Sequence, residues 1–319
     1  MPPRTAEYSR PSHVILHLSD THLLADGQPF DRVDGEARVR RVFDDLERSG
    51  LRPDAILFTG DLAERGEPVA YGKLRSIVDP VARRLGAQPI WVMGSHDDRA
   101  AFRTTMLGLS PSTDPIDRVH YLDGLRVITI DTSVPGHRFG RLEADQLDWL
   151  ADELSTDAPH GTILAMHHPP IPCIVDLAVT VELREQGALA EVLKGTDVRS
   201  IVAGHLHYST SGTFAGIPVS VASASCYTQD LAAAAGSVRL RDGAQAYNLI
   251  HVYDHTILHT VVPIGDSTTV DFVPAERVAQ ALELDGVVIP AAPSEDQWAF
   301  DSGDLDLVDE SVTWELTWG

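Results

Sequence analysis

His13-Val14-Ile15-Leu16-His17-Leu18-Ser19-Asp20-Thr21-His22 is an apolar run that ends in a carboxylate and an imidazole two positions apart. Its first six residues read as a buried β-strand, and the polar letters fall where that strand leaves its sheet. Four later segments repeat the change from apolar to metal-binding. Gly60-Asp61 follows residues 55–58, and Gly94-Ser95-His96-Asp97 follows residues 90–93. His167-His168 follows residues 162–166, and Gly204-His205-Leu206-His207 follows residues 200–203. Carboxyl ends of parallel strands converge on one crevice, so motifs far apart in sequence can meet there. In Asp20-x-His22 and His205-x-His207 the i, i+2 spacing turns both side chains the same way if extended backbone persists. Together the five motifs can supply the mixed oxygen and nitrogen shell of two adjacent divalent cations.

The segments between the motifs have the periods of an α/β protein. Residues 36–48 place Val39, Val42, Phe43 and Leu46 on one helical face and stop at Gly50. Residues 68–85 form the next predicted helix, so strand, helix, strand, helix, strand implies a parallel sheet. Asp123-Gly124, between residues 120–122 and 125–130, is a hairpin signal. Helices are expected at 143–154 and 181–193, and strands at 214–221, 246–253 and 256–262. The sum is an α/β chain of two stacked mixed sheets with helices outside, a four-layer αββα sandwich. We expect a catalytic domain over 1–265 and an acidic extension over 266–319. Residues 295–319 hold no Lys or Arg but three tryptophans, Trp298, Trp314 and Trp318, which suggests docking on the body or a neighbouring subunit.

The 319 residues carry a formal charge of −22, which repels nucleic-acid polymers and anionic membranes at long range. A small anionic substrate remains compatible, because bound cations dominate the field inside a cleft. Residues 1–12 contain no apolar signal region and no segment has the apolar length of a membrane span, so a cytoplasmic protein is expected. The two cysteines, Cys173 and Cys226, offer no disulfide framework, and neither is expected to bind metal.

Ser19-Asp20-Thr21-His22, Thr59-Gly60-Asp61, Gly94-Ser95-His96-Asp97, His167-His168-Pro169 and Gly204-His205-Leu206-His207 resemble the signature of the calcineurin-like metallophosphoesterase superfamily, over about residues 13–262. Within it, residues 61–68, 131–137, 167–172 and 222–230 are most similar to the class III bacterial cyclic-nucleotide phosphodiesterases. The resemblance implies one metal on Asp20, His22 and His207, a second on Ser95, His167 and His205, and Asp61 bridging both. Iron and manganese are the foremost candidates, with zinc or cobalt as alternatives. His96 would contact the phosphate or protonate the leaving alkoxide, Asp97 would orient His96, and His137 would lie near the phosphate. His168 would support or pack. His13, His17, His160, His251, His255 and His259 have no partner at ligand spacing and read as structural. Arg99 reads as a helix-start surface residue more readily than as a phosphate clamp.

The implied reaction is hydrolysis of a 3′,5′-cyclic nucleotide such as cAMP to the 5′-monophosphate, through a hydroxide held between the cations. A broader diesterase acting on 2′,3′-cyclic nucleotides, glycerophosphodiesters or aryl phosphodiesters is the alternative, and a non-catalytic scaffold of the same fold a more distant one. A homodimer, through residues 178–183 or the later strands, is a further implication. Ser95 departs from the pattern: the family has Asn there, and a hydroxyl on a shorter arm is a poorer donor to a cation than an amide carbonyl. The second metal is therefore expected to bind more weakly.

Overall fold

The computed structural model describes residues 4–293. The chain runs β1 (Arg4–Thr5), β2 (His13–Leu18), α1 (Gly35–Ser49), β3 (Ala55–Thr59), α2 (Pro68–Leu85), β4 (Gln88–Val92), α3 (Arg99–Thr105), β5 (Arg118–Leu122), β6 (Leu125–Thr129), α4 (Ala144–Glu153) and β7 (Thr162–Ala165). It continues through α5 (Gln186–Val192), β8 (Val198–Ala203), β9 (Thr210–Phe214), β10 (Ile217–Val221), β11 (Thr228–Gln229), β12 (Leu240–Arg241), β13 (Ala246–Val252), β14 (Ile257–Pro263), α6 (Ala275–Asp285) and β15 (Val287–Val288). One sheet has the order β14-β13-β2-β3-β4, the other β5-β6-β7-β8-β10-β9. β2, β3 and β4 are parallel, as are β6, β7, β8 and β10.

Alternation along the strands separates three apolar layers. Ile56 and Phe58 of β3 pack with Val39, Val42 and Phe43 of α1 and with Tyr71, Leu74 and Val78 of α2. Ala55 and Leu57 turn the other way, into a layer shared with Ile15, Ile90, Val127, Ile163 and Val202. Leu164 and Ile201 face Leu150 of α4 and Leu189 of α5. Helices, sheet, sheet, helices is therefore the layer order, as the periodicity predicts. The arrangement brings the carboxyl ends of β2, β3, β4, β7 and β8 to one region, where the five motifs begin.

Two sequence expectations change. The helix expected from residue 181 starts at Gln186, because Glu185 is left-handed (φ 57°) and residues 176–181 form a short 3₁₀ segment. The strand expected over 214–221 is two antiparallel strands, β9 and β10, around Ala215-Gly216, both at positive φ (51° and 84°) as a tight hairpin turn requires. Beyond residue 265 the chain forms α6, none of whose residues is buried, and β15, which pairs in parallel with β1. The tryptophan-bearing stretch lies outside the described residues. Among those residues no helix is long and apolar enough to cross a membrane.

Away from the strand ends, histidines serve the core. His13 Nε2 meets His160 Nδ1 at 2.6 Å, and His17 Nε2 meets Thr59 Oγ1 at 2.8 Å. Burial, reinforced by the neighbouring histidine in each case, lowers His13 to about 4 and His17 to about 3. Between these values and the ordinary histidine range near 6.5, the unfolded chain binds more protons than the folded one. Stability from these residues is thus present above pH ~6.5 and declines as pH falls toward about 4. The urea midpoint is expected to drop between pH 7 and pH 5, and His13→Asn should flatten that dependence.

Candidate metal centre

The strand ends do not stay extended at the motifs. Asp20 (φ 52°), His22 (φ 45°), Asp61 (φ 50°), His205 (φ 72°) and His207 (φ 56°) are all left-handed, an uncommon state for residues other than glycine. Extended spacing is therefore not what aims the i, i+2 pairs; alternate left-handed turns coil each loop around its own donors. Such strain is retained where the surroundings over-determine it. Two glycines let the loops touch. A Cβ on Gly60 would lie 2.5 Å from His167 Nδ1, and one on Gly94 would lie 2.2 Å from the Asp61 nitrogen.

Two imidazole pairs flank one carboxylate. His22 Nε2 and His207 Nε2 face each other at 3.2 Å, as do His205 Nδ1 and His167 Nε2. Asp61 Oδ2 lies 3.6 Å from His22 Nε2 and 3.3 Å from His167 Nε2, between the pairs. Its Oδ1 accepts the His96 backbone N–H at 2.8 Å. Asp20 Oδ2 accepts the His205 backbone N–H at 2.9 Å, while its buried Oδ1 has no hydrogen bond and lies 3.4 Å from His207 Nε2. The structure thus brings together Asp20, His22, Asp61, His167, His205 and His207.

The protonation pattern fits cations. His207 Nδ1–H donates to Tyr227 O (2.8 Å), His167 Nδ1–H to Thr59 O (2.7 Å), and His205 Nε2–H to Val181 O (2.9 Å). His22 Nδ1 is bound by Glu64 Oε2 at 2.5 Å. With the outer nitrogens so engaged, the inner ones present lone pairs to each other, and only a proton or a metal ion between them relieves the repulsion. Burial would raise Asp20 and Asp61, but His207 beside the first and His167 beside the second hold both well below the usual carboxylate range. Conversely, burial would lower His167, yet Asp61 lifts it to about 9. The two carboxylates therefore demand positive charge, which divalent ions supply directly.

The remaining site candidates divide. His96 adjoins the centre, with Nε2 4.0 Å from Asp61 Oδ2 and Nδ1–H donated to Glu64 O at 3.0 Å. Asp97 does not orient His96. Its carboxylate accepts the backbone N–H groups of Leu62, Ala63 and Gly94 and the Tyr71 hydroxyl, so it fixes the loop that carries Asp61. His137 is exposed, and its ring packs on Phe139 at 4.8 Å. Its neighbour Arg138 reaches the loop after β4: Nη1 donates to Ser95 O at 3.1 Å, and Arg138 O accepts from His168 Nε2 at 3.0 Å. Ser95 is half-buried between Gly94 and His96, both packed on Asp61.

Arg99 is neither a surface residue nor a phosphate clamp; it joins Asp131 Oδ2 (2.9 Å) to Ser133 O (2.8 Å). Burial raises the Cys226 thiol to about 12, and its Sγ lies 4.0 Å from His207 Nδ1, within reach of an ion held by His22 and His207. Glu64 and Tyr227, absent from the sequence candidates, contact the centre directly. Tyr227 covers His207 with ring centroids 4.5 Å apart. Glu64 stands three residues after Asp61, a proximity that could have marked it.

Residues 13–209 match the family model of the calcineurin-like phosphoesterases. The chain is 58% identical over 287 residues to a probable cyclic nucleotide phosphodiesterase of Rhodococcus erythropolis, covering 90% of this chain and 95% of that one. It is also 58% identical over 288 residues to a cAMP/cGMP dual specificity phosphodiesterase of Mycobacterium tuberculosis, covering 90% and 91%. In fold it is similar to a dimetal phosphatase from Danio rerio, with a TM-score of 0.57 at 12% identity over 79% of this chain and 96% of that one. Five converging strand ends, paired imidazoles around a shared carboxylate and a match over most of the fold lead to one assignment: the chain belongs to the calcineurin-like phosphoesterase family.

Proposed function

We propose that this protein hydrolyses 3′,5′-cyclic nucleotides, cAMP among them, to 5′-monophosphates. The position of Asp61 Oδ2 between two inward-facing imidazole pairs carries the reading, because one carboxylate would there be within reach of an ion at either pair. Asp20, His22 and His207 would hold one ion, and Ser95, His167 and His205 the other, with Asp61 common to both. The nitrogen and oxygen donors suit iron, manganese, zinc or cobalt, and the resemblance to the superfamily puts iron and manganese first. When bound, the ions supply charge to the phosphoryl oxygens and acidify the attacking water.

The chain's own part is positioning and proton transfer. His96 keeps Nδ1–H on the Glu64 carbonyl and turns Nε2 to the centre; in the doubly protonated imidazolium, a form that burial disfavours and Asp61 favours, Nε2–H is the group that hands a proton to the departing ribose oxygen and leaves the ring neutral. Asp97 holds the Asp61 loop, and Arg138 closes the facing loop onto Ser95. The test is turnover of 3′,5′-cAMP, 2′,3′-cAMP and bis(p-nitrophenyl) phosphate by protein reconstituted with Mn²⁺. Preference for the first supports the proposal, and equal turnover of all three supports the broad diesterase instead. A protein that acquires no transition metal on reconstitution is a scaffold.

Ser95→Asn should raise occupancy of the second site, read as metal equivalents at sub-saturating Mn²⁺; unchanged occupancy and turnover would sink the idea that Ser95 weakens it. The same reading makes residues 1–265 the catalytic domain, residues 266–319 an extension, and the protein a cytoplasmic homodimer. Exposed Ile174, Leu177 and Val179 support a contact near residues 178–183.

A further inference from the structure

Beside the centre lies a cleft of about 440 Å³, lined by Phe30, Arg32, Tyr227, Leu240, Arg241 and Asp242 among others. Phe30 is 60% exposed, and its backbone is left-handed (φ 54°, ψ 24°), as is that of Asp31 (φ 54°). For a bulky side chain that conformation is a true outlier, so the loop holds the ring outward against its local preference. The Phe30 ring meets Tyr227 edge-on at 5.1 Å, and Tyr227 in turn lies over His207. An aromatic shelf thus runs from the ligand histidine to the cleft. Its polar wall is held in place: Arg241 Nε donates to Thr228 Oγ1 at 3.3 Å, and Asp242 Oδ1 accepts from Gln245 Nε2 at 3.1 Å. None of these side chains has a part in the proton transfer described above.

We propose that this cleft is a nucleobase subsite that selects purine nucleotides, an inference that rests on the phosphodiesterase reading. With the phosphate at the ions and His96, the sugar passes Tyr227 and the base stacks on Phe30. Aromatic stacking tolerates any base but favours the larger ring system. The Arg241 guanidinium has only donors, and with Nη1 facing Asp230 at 3.6 Å its Nη2 meets ring nitrogen or carbonyl acceptors on the base edge; Asp242 gives Oδ1 to Arg38 and Gln245 and accepts from an exocyclic amine through Oδ2. Adenine and guanine both present an acceptor nitrogen and an amine, so the cleft receives either, whereas a pyrimidine covers less of the shelf.

The experiment compares kcat/KM for 3′,5′-cAMP with that for ribose 3′,5′-cyclic phosphate, which has the same reacting ring and no base. In Phe30→Ala the ratio should fall about tenfold, the scale of one base–aromatic stack, carried by KM. Phe30→Gly should give the same fall while relieving the left-handed backbone, which separates lost stacking from misfolding. Arg241→Gln should lower the ratio by a few fold. Equal losses on both substrates, or an unchanged ratio in both Phe30 variants, overturn the subsite and leave the phosphodiesterase reading standing. A wild-type protein inactive on both substrates refutes that reading, and the subsite with it.

Discussion

Asp61→Asn is expected to lower phosphodiester turnover by about a thousandfold or more, a loss of ~4 kcal/mol in transition-state stabilisation. The wild-type carboxylate places Oδ2 between His22 and His167 and gives Oδ1 to the His96 backbone. An amide keeps one neutral oxygen and puts an NH₂ group in the other position, so it can serve the loop or a cation, not both. Bound metal should fall from about two equivalents toward one or none by elemental analysis. The same change should lower the melting temperature of metal-free protein near neutral pH. There, against burial, Asp61 is held well below the usual carboxylate range chiefly by His167, and Asp61 lifts His167 to about 9, so the two stabilise each other. Removing one partner leaves the other buried without its counter-charge. Lost turnover with full metal content would show that Asp61 does not bridge.

His96→Ala should cost about 10²–10³-fold on cAMP while leaving metal content intact, as removal of a general acid typically does. The contrast between substrates makes the test sharp. A ribose alkoxide is a poor leaving group and needs the proton from His96 Nε2, whereas p-nitrophenolate departs without one. Loss on bis(p-nitrophenyl) phosphate should therefore be at least tenfold smaller than on cAMP. Equal losses on both would assign His96 to phosphate binding instead. The neighbouring substitution Asp97→Asn should act differently, through the Asp61 loop, and reduce metal affinity along with turnover.

Much of this architecture was legible because apolar periods and strand-end motifs reinforce each other. The β2, β3 and β4 runs alternate between two buried layers, and each ends at a donor, so layer order and convergence follow from local pattern. What escaped was decided by backbone geometry that residue type conceals. Ala215 gives no hint of a left-handed turn, and Glu185 none of a helix start delayed to Gln186. The side chains around His96 were misread for a related reason. Asp97 is adjacent in sequence, but a tight turn sends its carboxylate back to Leu62 and Ala63, while Glu64 arrives from another strand end. Likewise Arg138 reaches Ser95 while His137 packs on Phe139, and a letter string cannot say which of two neighbours makes which contact.

Three of the ring histidines are anchored through carbonyls of other segments: Thr59 behind His167, Val181 behind His205, and Tyr227 behind His207. Each donor is thereby oriented by the folded backbone and not by the ion it receives. Loading and stripping can then proceed as cycles on an intact template, without a refolding step. Chelation followed by reloading should then leave the far-ultraviolet circular dichroism of the protein unchanged throughout.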